Sequence, residues 1–156
     1  KFQSNLSVIK SVIKSNENRS NILLKRVSKI LNNKIKNKKI SFLGVTFKAN
    51  TDDMRDSSSL IMIPSLSKKG ALIKYYDPTG FKKEFSKIKN VNYENSIKKT
   101  IEDADLVIIH TEWNDFKSIN FSKLSKRKKI IIYDLRNIYS ADKMKNQGLK
   151  YYSVGR

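Results

Sequence analysis

The sequence predicts an α/β protein: a doubly wound, mostly parallel sheet preceded by a long N-terminal helix. Three observations lead there. From Lys39 onward, apolar runs of strand length alternate with stretches of helical spacing. Two of those runs, Leu106–His110 and Ile130–Tyr133, are nearly continuous in apolar residues, as strands buried on both faces are. Residues 4–32 carry apolar side chains at helical spacing with no proline or glycine among them. Alternation of this kind implies parallel strands joined by right-handed crossovers.

In the N-terminal stretch, Leu6, Ile9 and Ile13 fall on one face, and Leu23, Val27, Ile30 and Leu31 continue it. The polar patch at 16–20 leaves one long helix or two broken ones open. Apolar residues thin out near Asn33–Lys38, so residues 1–36 read as an appended helix and 37–156 as the sheet domain. The first strand is expected over Ile40–Thr46. A polar loop, Lys48 to Asp56, follows it. The serines at 57–59 are placed to cap a helix from Ser58 to Lys69, which Gly70 closes. Strand two, Leu72–Tyr76, stops at Asp77-Pro78, because proline cannot continue a ladder. Residues 79–90 read as irregular with a short helical turn. A short strand at Val91–Tyr93, a helix over Ser96–Glu102 and the two apolar strands come next. A helix over Ala141–Asn146 ends at Gly148, and Tyr151–Val154 makes the last strand.

Composition narrows the function. With no cysteine among the 156 residues there is no disulfide, thiolate metal site or cysteine nucleophile, and one histidine excludes a histidine-rich metal centre. No apolar run approaches the ~20 residues of a membrane span. The first residues lack the apolar core of a signal peptide, so a cytoplasmic location is the expectation. The formal charge of +19 has two readings. One is a basic module that binds nucleic acid or another polyanion. The other is compositional drift, because the basic residues are scattered singly and no aromatic stripe is interleaved with them.

In open α/β sheets ligands bind beyond the carboxyl ends of the strands. Those ends carry Phe47-Lys48 after strand one, Glu112-Trp113 after the Leu106 strand and Leu135-Arg136 after the Ile130 strand. A point-charge lysine, Lys48, with a forked arginine, Arg136, suits a phosphate or diphosphate. A dinucleotide fingerprint, G-x-G-x-x-G, is missing: Gly44 is followed by Val45, Thr46, Phe47 and Lys48. A Rossmann-like sheet without a dinucleotide site of its own is therefore expected. The acids of Thr51-Asp52-Asp53 read as partners of neighbouring bases or as helix caps rather than as metal ligands. His110, with no nucleophile beside it in sequence, reads as a core or supporting residue. Trp113 either lines the crevice or closes the sheet edge.

Five motifs in order carry a resemblance: LGVTFKANTDDMRDSSS at 43–59, YYDP at 75–78, ADLVIIHTEW at 104–113, DLRNIY at 134–139 and YYSVGR at the end. Together they resemble the C-terminal, UDP-sugar-binding domain of the UDP-glucose/GDP-mannose dehydrogenase family. The N-terminal stretch looks like the end of the central helix that joins the halves of such enzymes. The resemblance implies oxidation of a nucleotide sugar at C6, from alcohol to carboxylate, with NAD. It implies that Phe47, Lys48 and Arg136 contact the nucleotide sugar and that Arg55 reaches NAD held by a separate N-terminal half. That half would supply the glycine-rich loop and the catalytic cysteine, in cis or in trans. A homodimer through the N-terminal helix is also implied. The family's usual Asp-Gly-Arg is Asp134-Leu135-Arg136 here.

Overall fold

The computed structural model describes residues 18–127 and 129–155. Helix α1 covers 18–30, so the expected apolar positions Leu6, Ile9 and Ile13 lie outside the described residues. The chain continues through β1 (Lys39–Leu43), α2 (Ser59–Lys68), β2 (Leu72–Tyr76), β3 (Val91–Tyr93), α3 (Ile97–Ile101), β4 (Leu106–Ile109), α4 (Phe121–Leu124), β5 (Ile131–Asp134), α5 (Ala141–Asn146) and β6 (Lys150–Ser153). Single 3-10 turns lie at Lys83–Phe85 and Asn114–Phe116.

The six strands form one sheet in the order β3-β2-β1-β4-β5-β6, and every neighbouring pair is parallel. The order reverses between β1 and β4. At such a switch point the loops leave in opposite directions and open a crevice. Side chains alternate across the sheet. Ile40, Phe42, Leu106 and Ile108 face one core, whereas Leu43, Val107 and Ile109 face the other. The first core is roofed by Leu23, Leu24, Val27, Ile30 and Leu31 of the N-terminal segment and by Met62, Ile63 and Leu66 of α2. The second contains Ile101, Phe116, Phe121 and Met144. The expected apolar stripe at 23–31 is thus buried by the chain's own sheet.

Several expected boundaries shift for identifiable reasons. β1 stops at Leu43, three residues before the expected end. Gly44 adopts φ +74, and a Cβ there would lie 2.5 Å from Thr111 Cβ, so only glycine makes this turn. The next amide, Val45 N–H, leaves the ladder and donates to Asp77 Oδ2 at 2.8 Å. β5 and β6 are each displaced by one residue from the expected span. Of the serines at 57–59, Ser57 takes the first amide of α2, Ser59 N–H, on its hydroxyl at 3.3 Å, whereas Ser58 does not cap. Ser58, at the N-cap position, is in helical conformation and makes no capping bond. Ser57 and Ser59 donate to Val45 O at 2.7 and 2.6 Å and tie the start of α2 to the end of β1.

Candidate functional site

Two buried aspartates set the loops at the carboxyl ends. Asp77, at the end of β2, accepts from Val45 N–H and, more distantly, Thr46 N–H through Oδ2, and from the amide and hydroxyl of Thr79 through Oδ1. Asp134, the last residue of β5, accepts from Arg136 N–H at 2.9 Å, Tyr139 N–H at 3.1 Å and the Tyr151 hydroxyl at 3.0 Å. A carboxylate fully removed from water is stable when its lone pairs are taken up this way. The sequence placed aspartates at these ends, and Thr79 and Arg136 lie two residues from them, but Val45, Thr46 and Tyr151 lie many residues away.

A cavity of about 320 Å³ opens at the switch point. Arg19 of α1, Phe47, Asp56, Ser58, His110 and Arg136 are among the residues that line it. Arg136 spans it. Its Nε donates to His110 O at 2.8 Å, its Nη2 donates to Phe47 O at 2.8 Å, and Glu112 Oε2 lies 3.0 Å from Nε. One guanidinium therefore ties together the segments that follow β1, β4 and β5. Its aim does not depend on a glycine at 135. Leu135 is buried in the core next to α1 and is not among the residues with positive φ; the left-handed position of this turn is Asn137, at φ 55.

The other expected site residues are distributed as follows. Phe47 lines the cavity and is half exposed. Lys48, beside it, is exposed and stands outside the cavity lining. Arg55 points into solvent and forms a two-pronged pair with Asp53, at 3.0 and 2.9 Å. Side-chain and backbone hydrogen bonds from Arg55 lower the Asp53 pKa to about 2. Of the acids of this loop, Asp53 pairs with a neighbouring base, and among the described residues there is no cluster of three acidic, histidine or cysteine side chains able to hold a metal. Trp113 packs in the second core with Phe116 and Tyr139 and does not line the cavity.

His110 is buried and supports the cavity wall. Its Nε2 lies 2.8 Å from Ser58 Oγ and its Nδ1 3.1 Å from Thr111 Oγ1. Burial, with Arg136 and Arg19 close by, pushes its pKa down to about 3, so the ring is neutral near pH 7. Sequence reasoning missed Arg19 and Ser58 as lining residues. Each lies on an element whose packing, rather than composition, brings it here. Arg19 stands among many basic residues, and Ser58 looked like a helix cap.

The loop after β1 does not suit a dinucleotide. In a pyrophosphate-binding turn, free amides approach the phosphates closely. Here Val45 N–H and Thr46 N–H are turned to Asp77, and the position after Gly44 is a buried valine. The cavity instead presents guanidinium groups, an aromatic ring, a carboxylate and a hydroxyl, a set suited to a sugar-phosphate. No helix among the described residues is long and apolar enough to cross a membrane.

Fold and site together define a Rossmann-like, nucleotide-binding type of domain that lacks a dinucleotide loop of its own. The model of the UDP-glucose/GDP-mannose dehydrogenase family, UDP binding domain, matches residues 41–141, and the chain belongs to that family. It is 37% identical over 151 residues to a UDP-glucose 6-dehydrogenase of Rickettsia bellii (strain RML369-C), a match covering 95% of this chain and 35% of the relative. To the UDP-glucose 6-dehydrogenase of Rhizobium meliloti (strain 1021) it is 35% identical, covering 96% and 34%. Among solved structures, a UDP-D-ManNAc dehydrogenase from Pyrococcus horikoshii superposes with TM-score 0.65 at 28% identity, over 88% of this chain and 30% of that one. A UDP-glucose dehydrogenase from Pyrobaculum islandicum shares the fold with TM-score 0.74 at 22% identity, over 94% and 32%. The chain spans about a third of the length of the relatives it matches.

Proposed function

We propose that this chain is the nucleotide-sugar-binding part of a cytoplasmic, NAD-dependent UDP-glucose 6-dehydrogenase, which converts UDP-glucose to UDP-glucuronate. The observation that carries the reading is Arg136, held across three strand ends at the mouth of a cavity in a UDP-binding-domain fold. In this reading Arg136 and Lys48 meet the diphosphate, Arg136 from a fixed frame and Lys48 from solvent. Phe47 covers an apolar face of the ligand. NAD sits on a separate half of the enzyme, in cis or in trans, and Arg55 extends toward it. Residues 1–36 belong to the segment that joins the halves and pairs two copies, and 37–156 form the nucleotide-sugar domain. Because the sequence contains no cysteine, no thiolate is available for a covalent step, and this chain by itself does not oxidise the sugar.

The test is a titration of the isotope-labelled chain with UDP-glucose, followed by NMR. Shifts are expected at Phe47, Lys48, His110 and Arg136. Perturbations confined to the amino ends of the strands would sink the reading, as would sustained NAD reduction by this chain alone.

A further inference from the structure

The Ser58–His110–Thr111 chain of hydrogen bonds has a single consistent direction. Thr111 Oγ1 lies 2.8 Å from Thr46 O, and a carbonyl oxygen can only accept, so the Thr111 proton points there. Thr111 Oγ1 can then only accept from His110 Nδ1, which must carry a proton. With the ring neutral, Nε2 is bare, and Ser58 Oγ, 2.8 Å away, must donate to it. The Ser58 hydroxyl has therefore committed its one proton inward. Toward the cavity it offers lone pairs only, strengthened as acceptors by the donation they accompany.

An oxygen with lone pairs alone repels phosphate oxygens, which are acceptors too. It accepts from a hydroxyl. Asp56, on the same cavity, has the same preference, whereas Arg19 and Arg136 prefer the phosphate. We propose that Ser58 is a specificity-determining residue that accepts a hydrogen bond from a sugar hydroxyl of the bound nucleotide sugar, and that His110 is the positioning residue that fixes its polarity. The inference rests on the functional reading above, because that reading supplies the ligand.

The chain contains one histidine, so the imidazole nitrogens give one unambiguous pair of ¹⁵N signals. The expected spectrum is that of the Nδ1–H tautomer, with the Nε2 signal moving when UDP-glucose binds. The Nε2–H tautomer would overturn the proposal, because Ser58 would then accept from the ring and donate to the cavity. In titrations of the full chain, Ser58→Ala should weaken UDP-glucose about five- to tenfold, as the loss of one hydrogen bond does, and Ser58→Thr should restore it. Inorganic pyrophosphate, which carries no sugar hydroxyl, should bind both variants alike. Equal losses for UDP and UDP-glucose assign the hydroxyl to the ribose, and a loss for UDP-glucose alone assigns it to the hexose. Unchanged UDP-glucose binding in Ser58→Ala, with binding weakened in Arg136→Ala, overturns this inference and leaves the functional reading standing. No UDP-glucose binding by the unaltered chain overturns both.

Discussion

The loop after β1 and the turn after β5 look alike in sequence and differ in the structure. Each follows an inner strand, each carries a cation, and each is pinned by a buried aspartate, Asp77 or Asp134. The β1 loop leaves its cation, Lys48, in solvent, free to be shaped by a ligand. The β5 turn ties its cation to two backbone carbonyls and Glu112 before any ligand arrives. A tethered guanidinium loses little freedom on binding, whereas an exposed lysine loses more and is screened by salt. A charge at a strand end thus marks a location, and the packing beneath it decides whether it is preorganised.

The largest expected effect breaks the pins themselves. Asp77→Ala leaves Val45 N–H and the Thr79 amide without their acceptor, and Asp134→Ala does the same to Arg136 N–H, Tyr139 N–H and the Tyr151 hydroxyl. Each should cost about 3–4 kcal/mol in urea unfolding, since several buried donors are stranded at once. A loss below about 1 kcal/mol in either would mean that water replaces the carboxylate and that the loop is not pinned. Next in size is the split between the cations. Lys48→Ala should weaken UDP-glucose by about 1.5–3 kcal/mol at low salt while leaving the unfolding midpoint in place. Arg136→Ala should weaken the ligand and also cost about 1–2 kcal/mol of stability, because the β1 and β4 segments lose their common tie. Equal stability effects for the two would erase the contrast.

His110 supplies a pH test of the same wall. Its folded pKa, about 3, lies below the ordinary histidine value of 6.5, so the unfolded chain binds the proton more readily. Stability from this group is fully present above pH 6.5 and is lost as pH falls toward 3. From pH 7 to pH 5 the loss should be about 2 kcal/mol. With one histidine in the chain, His110→Gln should flatten the slope in that window. An unchanged slope would mean that the ring is hydrated in the folded chain.

Much of this arrangement is legible in the sequence, for physical reasons. β2 and β3 begin and end where the apolar runs and turn residues place them, and β4 falls one residue short. The continuous apolar run LVII at 106–109 marks a strand buried on both faces, which places β4 itself inside the sheet. The segments Asn114–Phe116 and Phe121–Leu124 were not legible, because three or four residues are too few to show a period. β1 looked longer because Val45 is apolar and buried, yet it is buried in a loop that Asp77 holds. The strand-end residues Phe47 and Arg136 could be found by topology. Arg19, Ser58 and His110 meet only because α1 packs over β1 and β4 and because Ser57 and Ser59, rather than Ser58, take up the carbonyl of Val45.

The smallest expected effect concerns Arg55, which shares the β1 loop with Lys48 yet should behave unlike it. Its guanidinium is in solvent, and its partner Asp53 is two residues away, so the pair closes a local turn and bridges no elements. An exposed pair of this kind contributes little, and salt screens it. Arg55→Ala should leave the unfolding midpoint and the UDP-glucose affinity of this chain where they are, at both low and high salt. If Arg55 serves a cofactor held by another half of the enzyme, the substitution should be felt only when that half is present, as weaker NAD binding with UDP-glucose affinity unchanged. A loss of UDP-glucose affinity in the isolated chain would place Arg55 with Lys48 on the nucleotide-sugar side. The β1 loop would then carry two ligand cations, and the contrast with the single tethered arginine after β5 would have to be redrawn.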